Sequence, residues 1–86
     1  MRYRLELSRT ALRGLEQLPP QMRERLTAHL SGLTTDPRPL HSRHLQGHLT
    51  GFRRLRVGDY RAIYQVDDEQ QCVTVVRVGP RSSVYK

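Results

Sequence analysis

Arginine side chains offer the clearest chemistry in this sequence, and its C-terminal half concentrates them. Arg54 and Arg56 are two residues apart in a stretch of strand-like composition, so both side chains would lie on one face of a sheet while Arg53 points to the other. Gly58-Asp59 predicts a tight turn after this strand. The returning strand would then place Arg61 across from Arg54 and Arg56.

Two further side chains extend this cluster. Arg81 follows the last predicted strand, and Tyr85 lies four residues later. Like charges held this closely repel one another, so the cluster costs stability unless an anion occupies it. A solvated basic face with no specific ligand is the simpler interpretation, and the residues alone leave it open.

An RNA backbone is an anion on which such a cluster could do chemistry. Attack by a 2′-hydroxyl on the neighbouring phosphorus builds a phosphorane with added negative charge, which fixed guanidinium groups would stabilise without a metal ion. The 2′-hydroxyl must also lose a proton, and the leaving 5′-oxygen must gain one. Tyr85 is the only ordinary acid or base in the cluster, and nearby cations would lower its pKa from about 10. Since arginine carries protons poorly, the residues predict a slow enzyme, or one whose substrate is positioned by something larger.

Other reaction classes find little support. His41, His44 and His48 have near-helical spacing, but prolines and a glycine disfavour a helix there, and no cysteine or carboxylate completes a zinc set. Cys72 opens a valine-rich strand and is expected to be either buried or an inert residue at the sheet edge. The acidic run Asp67–Glu69 is typical of a solvated turn. We therefore expect no metal or other cofactor.

The length of the chain limits the size of the protein, and its net charge indicates the charge of its partners. The chain has 86 residues, 15 Lys+Arg and 8 Asp+Glu, which gives a formal net charge of +7. The charge predicts a polyanionic partner, which could be nucleic acid, an anionic membrane or an acidic protein. The length excludes a two-domain enzyme and predicts one domain over residues 1–86. No apolar run approaches the roughly 18 residues of a membrane span, and residues 2–7 alternate in place of a signal-peptide core, which favours a cytoplasmic location.

The elements that must position the cluster follow from periodicity. Residues 2–7 predict a strand, and Ser8 a cap for a helix over 9–17. Apolar residues spaced by three and four predict a second helix over 20–34, joined to the first in an antiparallel hairpin. Residues 36–50 predict a loop whose leucines pack on the core, namely Leu40, Leu45 and Leu49.

Three strands complete the predicted fold. They span residues 52–57, 60–66 and 72–78, and Gly79-Pro80 is expected to end the last of them. The predicted class is α+β: an N-terminal strand, a two-helix antiparallel hairpin and a three-stranded antiparallel meander, with the strands joined in one sheet.

The sequence resembles the RelE/ParE toxin superfamily, and its RelE branch most closely, over nearly the whole chain. The most specific stretch is Arg54-Leu55-Arg56-Val57-Gly58-Asp59-Tyr60-Arg61-(x2)-Tyr64, followed by Asp67-Asp68. The chain then closes with Val78-Gly79-Pro80-Arg81-(x3)-Tyr85. The order and spacing of these segments carry the resemblance.

The resemblance implies a toxin of a type II toxin–antitoxin pair that cuts messenger RNA in the ribosomal A site without a metal ion. Carried over by position, it implies catalytic roles in phosphate binding, transition-state stabilisation, proton transfer and base stacking for Arg54, Arg61, Arg81 and Tyr85. We expect further RNA phosphate contacts at Arg53, Arg56, His48 and Lys86. The implied partners are messenger RNA, the ribosome and an acidic or partly disordered RelB-like antitoxin, with which the toxin would form a hetero-oligomer.

Two departures from the family pattern keep alternatives open. Pro80 stands where many relatives have histidine, and arginine replaces the lysines that the best-known members carry on the second strand. The alternatives are a ParE-like toxin that inhibits DNA gyrase, and a catalytically degenerate toxin that acts mainly by binding its antitoxin.

Overall fold

A five-stranded mixed sheet with helices packed on one face positions the residues of interest. The structure, a computed structural model, describes residues 2–81. In chain order its elements are β1 (Arg4–Leu7), α1 (Arg9–Glu16), α2 (Pro20–Gly32), β2 (Ser42–His44), a 3₁₀ turn (Gly47–Leu49), β3 (Arg53–Val57), β4 (Tyr60–Asp67) and β5 (Cys72–Pro80). The strand order is β1-β5-β4-β3-β2, with β1 parallel to β5 and the other neighbours antiparallel. The predicted α+β class is confirmed.

Both helices begin where the sequence predicts. The Oγ of Ser8 accepts a hydrogen bond of 3.0 Å from the backbone N–H of Ala11, which satisfies a donor in the first turn of α1. Pro20 occupies the start of α2, where the missing N–H costs no hydrogen bond and the fixed φ suits the helix. The helices end at Glu16 and Gly32, slightly before the predicted ends at 17 and 34.

The apolar stripe of α2 forms the centre of the core. Leu26, Leu30 and Leu33 are at most 1% exposed. They pack with strand residues that all point to the helix side of the sheet, namely Leu55, Val57, Ala62, Tyr64, Val73, Val75 and Val78. Alternating positions of these strands face the other side, which no helix of residues 2–81 covers.

Helix α1 approaches β5 closely at Gly14. A Cβ at this position would lie 2.0 Å from the carbonyl oxygen of Val78. Because that oxygen belongs to the backbone and cannot swing aside, the packing of the helix on the strand requires glycine here.

The turn between β3 and β4 is the predicted Gly58-Asp59 pair. Gly58 has a φ of 61°, whereas Asp59 has no positive φ. A positive φ at the first central residue alone matches a type II′ hairpin turn, which takes glycine in that position. This explains why glycine precedes the aspartate.

Three details of the predicted fold are wrong. The segment 36–50 was expected to be a loop, yet it contains β2 and the 3₁₀ turn. Leu40 was expected to pack on the core and is fully exposed, while Leu45 and Leu49 are half-buried. The last strand was expected to end at residue 78 but continues through Gly79 to Pro80. Proline is tolerated there because it lies opposite Tyr60 at the last position of the strand, where its missing N–H interrupts no hydrogen bonds in the interior of the sheet.

Candidate functional site

On the side of the sheet opposite the helices, strands β2 to β5 carry five arginines within residues 2–81, which we call the arginine face: Arg43, Arg54, Arg56, Arg61 and Arg77. The strand register fixes their positions in two rows across the sheet. In the first row Arg43 lies opposite Arg54, Arg54 opposite Ile63, and Ile63 opposite Arg77.

The second row contains the predicted cross-strand pair. Arg56 on β3 lies directly opposite Arg61 on β4, and Arg61 lies opposite Gly79 on β5. Side chains that face each other in this way have Cβ atoms about 5 Å apart, and like charges there repel. The sequence-based expectation that Arg61 lies beside Arg54 and Arg56 is therefore confirmed.

Backbone carbonyls of the β3–β4 turn hold Arg61 in place. Its Nη1 donates hydrogen bonds of 3.2 Å to the carbonyl oxygens of Gly58 and Tyr60. Arg56 also reaches Gly58, since its Nε donates to the same oxygen at 3.5 Å. Arg61 is only 4% exposed, so its position is defined by packing as well as by these bonds.

Arg81 is attached to the same turn by its own backbone. Its N–H donates a 3.1 Å hydrogen bond to the carbonyl oxygen of Asp59. The preceding residue, Pro80, lies opposite Tyr60 at the start of β4. The exposed Arg81 therefore lies next to the turn that holds Arg56 and Arg61.

Arg54 presents a donor without an acceptor. Its Nε is buried and makes no hydrogen bond with the part of the chain that the structure describes. A buried polar group without a partner is destabilising, and the loss is larger for a charged group. An anion could supply the missing acceptor only after a movement of the side chain, because the atom is closed to solvent in the structure.

Four arginines of the arginine face make no ion pair with a carboxylate among residues 2–81. Within residues 2–81 the ion pairs use other arginines, Arg4 with Glu6 at 3.9 Å and Arg38 with Asp68 at 2.8 Å. Arg43, Arg54, Arg56 and Arg77 pair with no carboxylate in that range. The face is therefore suited to a polyanion.

Arg53 lies on the helix side of the sheet, as the alternation predicts. Its Nε donates to the Oγ of Ser42 at 2.9 Å, and that Oγ lies 2.6 Å from the hydroxyl of the buried Tyr64. The Tyr64 hydroxyl donates in turn to the carbonyl oxygen of Pro37 at 2.8 Å. This chain of hydrogen bonds attaches β2 and the segment before it to β3 and β4. The structure does not bring Arg53 together with Arg54 and Arg61.

The remaining predicted contacts lie elsewhere. His48 is exposed in the 3₁₀ turn between β2 and β3, outside the sheet. Tyr85 and Lys86 lie outside the described residues, so the structure does not place them. Residues 2–81 contain no group of three or more histidines, cysteines or carboxylates that could hold a metal ion, and no helix among them is long and apolar enough to cross a membrane.

Sequence reasoning missed two members of the arginine face, Arg43 and Arg77. Arg43 belongs to β2, a strand of three residues within the segment that the sequence predicts to be a loop. Arg77 follows a shift in register, because Ile63 lies opposite Arg77 whereas Tyr64 lies opposite Val75. Strict alternation along β5 would place Arg77 on the side of Val73 and Val75. The side of the sheet on which Arg77 lies could have been predicted only by assuming an irregularity in the strand near Val76.

Comparisons with known proteins agree with this architecture. The family model of the ParE toxin of the type II toxin–antitoxin system parDE matches residues 5–85. Toxin RelG of Mycobacterium tuberculosis is 32% identical, and the match covers 100% of this chain and 99% of RelG. The mRNA interferase toxin RelE of Escherichia coli K12 is 35% identical, with 99% and 92% of the two chains covered.

Solved structures show the same fold. The toxin–antitoxin complex RelBE2 from Mycobacterium tuberculosis contains a chain that matches with a TM-score of 0.85 and 31% identity, covering 96% of this chain and 95% of that one. A chain of the archaeal RelE–RelB complex from Pyrococcus horikoshii matches with a TM-score of 0.82 and 28% identity, covering 96% and 99%.

Proposed function

The chain belongs to the RelE/ParE family of type II toxin–antitoxin toxins, and we propose that it is an endoribonuclease that cleaves messenger RNA in the ribosomal A site. The observation that carries the proposal is the placement of Arg54, Arg56 and Arg61 on one face of the sheet, beside the backbone-anchored Arg81. The relatives named mRNA interferases support the same activity class.

Charge stabilisation is the part of the reaction that these residues supply. The 2′-oxygen of a ribose attacks the adjacent phosphorus, and the bond from phosphorus to the 5′-oxygen of the next nucleotide breaks. The products are a 2′,3′-cyclic phosphate and a 5′-hydroxyl. Arg61 is already held by two carbonyl oxygens, so its guanidinium needs little reorganisation to stabilise the added charge of the phosphorane.

Proton transfer is assigned to a different residue. The proton on the 2′-hydroxyl must leave and the 5′-oxygen must be protonated, and arginine is unsuited to either step. We propose Tyr85 for this role, as the resemblance implies. Because Pro80 replaces the histidine of many relatives, much of the rate must come from orientation of the message, which the ribosome provides.

The proposed partners follow from charge and from the related complexes. The solved neighbours contain RelB antitoxins bound to RelE toxins. We propose that this toxin likewise forms a hetero-oligomer with an acidic, partly disordered antitoxin that folds on binding. Its place of action is the cytoplasm, where ribosomes translate.

Primer extension on a defined message tests the proposal. Ribosomes paused with an empty A site are mixed with full-length wild type, Arg61→Gln, Arg81→Gln or the helix-surface control Arg13→Gln. Removing one charge-stabilising donor lowers the cleavage rate by about 10²-fold or more. We expect that loss for the first two variants and wild-type cleavage for the control. If both active-site variants cut normally, the assignment is wrong.

Gyrase inhibition is the second candidate, because the family model that matches is that of ParE. It requires neither RNA nor ribosomes. Inhibition of DNA supercoiling by the purified toxin, with no cut in the primer-extension assay, would replace the nuclease proposal. Absence of both activities, with retained antitoxin binding, would identify a degenerate toxin.

A further inference from the structure

We propose that Arg43 and Arg77 bind the RNA phosphates on either side of the reacting one, so that the message crosses the sheet from β2 to β5. The inference rests on the proposed function, which supplies RNA as the ligand. Neither residue belongs to the set of catalytic and phosphate-binding positions identified from the sequence.

Position is the first argument. Arg43 and Arg77 are the two ends of the row Arg43–Arg54–Ile63–Arg77, which spans four neighbouring strands. Three steps between strands of about 4.8 Å give a separation of about 14 Å between the ends. Arg56 and Arg61 form the next row, two residues further along the strands and so about 7 Å away. An RNA strand laid along the first row would therefore contact Arg54 and pass beside Arg56 and Arg61.

Availability is the second argument. Arg43 and Arg77 are both exposed, and they make no side-chain hydrogen bond or ion pair within residues 2–81. Arg54, which lies next to Arg43 in the row, holds the buried Nε that lacks an acceptor in the same range. The remaining residue of the row, Ile63, lies between Arg54 and Arg77, and its apolar side chain offers no competing polar group. Arginine binds phosphate through a planar pair of donors, which fixes position as well as supplying charge.

Phosphate binding has a measurable salt dependence. Each phosphate neutralised on a single strand contributes about 0.7 to the slope of log affinity against log salt concentration. Two contacts therefore contribute about 1.4 to the slope, which corresponds to roughly 25-fold in affinity at 0.1 M salt relative to 1 M. Acidic proteins would also be attracted to this face, but only a nucleic acid carries regularly spaced charges along one strand.

The test is fluorescence anisotropy with a short 2′-O-methyl RNA, which binds without being cut. Full-length wild type is compared between 50 and 200 mM KCl with the double variant Arg43→Gln/Arg77→Gln. The control double variant Arg9→Gln/Arg13→Gln removes the same charge from the exposed surface of α1. We expect the slope to fall by about 1.4 for the first variant and to stay at the wild-type value for the control.

Ribosome-dependent cleavage provides the second readout. Loss of flanking phosphate contacts raises KM and leaves kcat unchanged, because these residues do not touch the reacting atoms. An unchanged slope, an equal fall in the control, or a fall in kcat at constant KM would overturn the inference. If the slope changes as expected but wild type leaves the message uncut, the proposed function fails while the two phosphate positions stand.

Discussion

Replacing Gly14 by alanine should destabilise the fold, although alanine is the better helix former. The new Cβ would lie 2.0 Å from the carbonyl oxygen of Val78 and 3.0 Å from its carbonyl carbon. Ordinary van der Waals contact begins at 3.4 Å, so α1 and β5 must separate by more than 1 Å. Such overpacking costs about 1–3 kcal/mol, while the gain in helix propensity is about 1 kcal/mol. We expect a net loss of about 1–2 kcal/mol because the contact is with backbone.

Thermal unfolding of the full chain measures this loss. For a domain of this size, each kcal/mol lowers Tm by roughly 4–8 °C, so Gly14→Ala should unfold about 5–15 °C below wild type. Gly32→Ala is the matched control, since nothing lies within 4 Å of a Cβ there. We expect it to be stabilised by up to about 1 kcal/mol. A Gly14→Ala protein that melts at or above the wild-type temperature would refute the packing argument.

Three further predictions concern hydrogen bonding and pH. Tyr64→Phe removes a buried hydroxyl that bonds a serine and a proline carbonyl, and should cost about 1–3 kcal/mol in urea unfolding; an unchanged midpoint would contradict this. Arg38 and then Tyr3 donate to Asp68 and lower the pKa of that carboxyl below its ordinary value of 3.8. The stability that the ionised Asp68 carboxyl contributes is therefore present above pH 3.8 and is lost as the pH falls below it. Asp68→Asn should therefore narrow the difference in Tm between neutral and acidic solution. Burial, and then the neighbouring His41 ring at 5.4 Å, lower the pKa of His29 below 6.5. Stability should therefore fall as the pH drops through 6.5, and His29→Gln should lose less over that range; an equal loss in both proteins would exclude His29 as the cause.

Periodicity predicted the parts of the fold that bury apolar side chains. The spacing of Leu26, Leu30 and Leu33 defined α2 because a helix that covers a sheet needs an apolar stripe. The Gly58-Asp59 turn fixed the register of the hairpin, and with it the cross-strand pair of Arg56 and Arg61. The core of the candidate site could therefore be read from the sequence.

The missed features depend on contacts that side-chain patterns do not encode. Strand β2 pairs with β3 through its backbone, and only Ser42 of its three residues is buried. Its side chains therefore lack the alternation that identifies a strand. Arg77 was missed because an irregularity in β5 changes which side the following residues face. The fixed position of Arg81 also depends on a backbone hydrogen bond to Asp59, which involves no side chain.

The central claim is that a 2′-hydroxyl of the message attacks the adjacent phosphorus. Removing the oxygen atom of that hydroxyl tests the claim. Ribosomes paused with an empty A site are programmed with a message that carries one 2′-deoxynucleotide on the 5′ side of the cleaved bond. A second message carries the same substitution at the neighbouring nucleotide. We predict cleavage of the second message, with a 2′,3′-cyclic phosphate and a 5′-hydroxyl as its ends, and no cleavage of the first at that bond. Cleavage of the first message at the ordinary rate would contradict the mechanism.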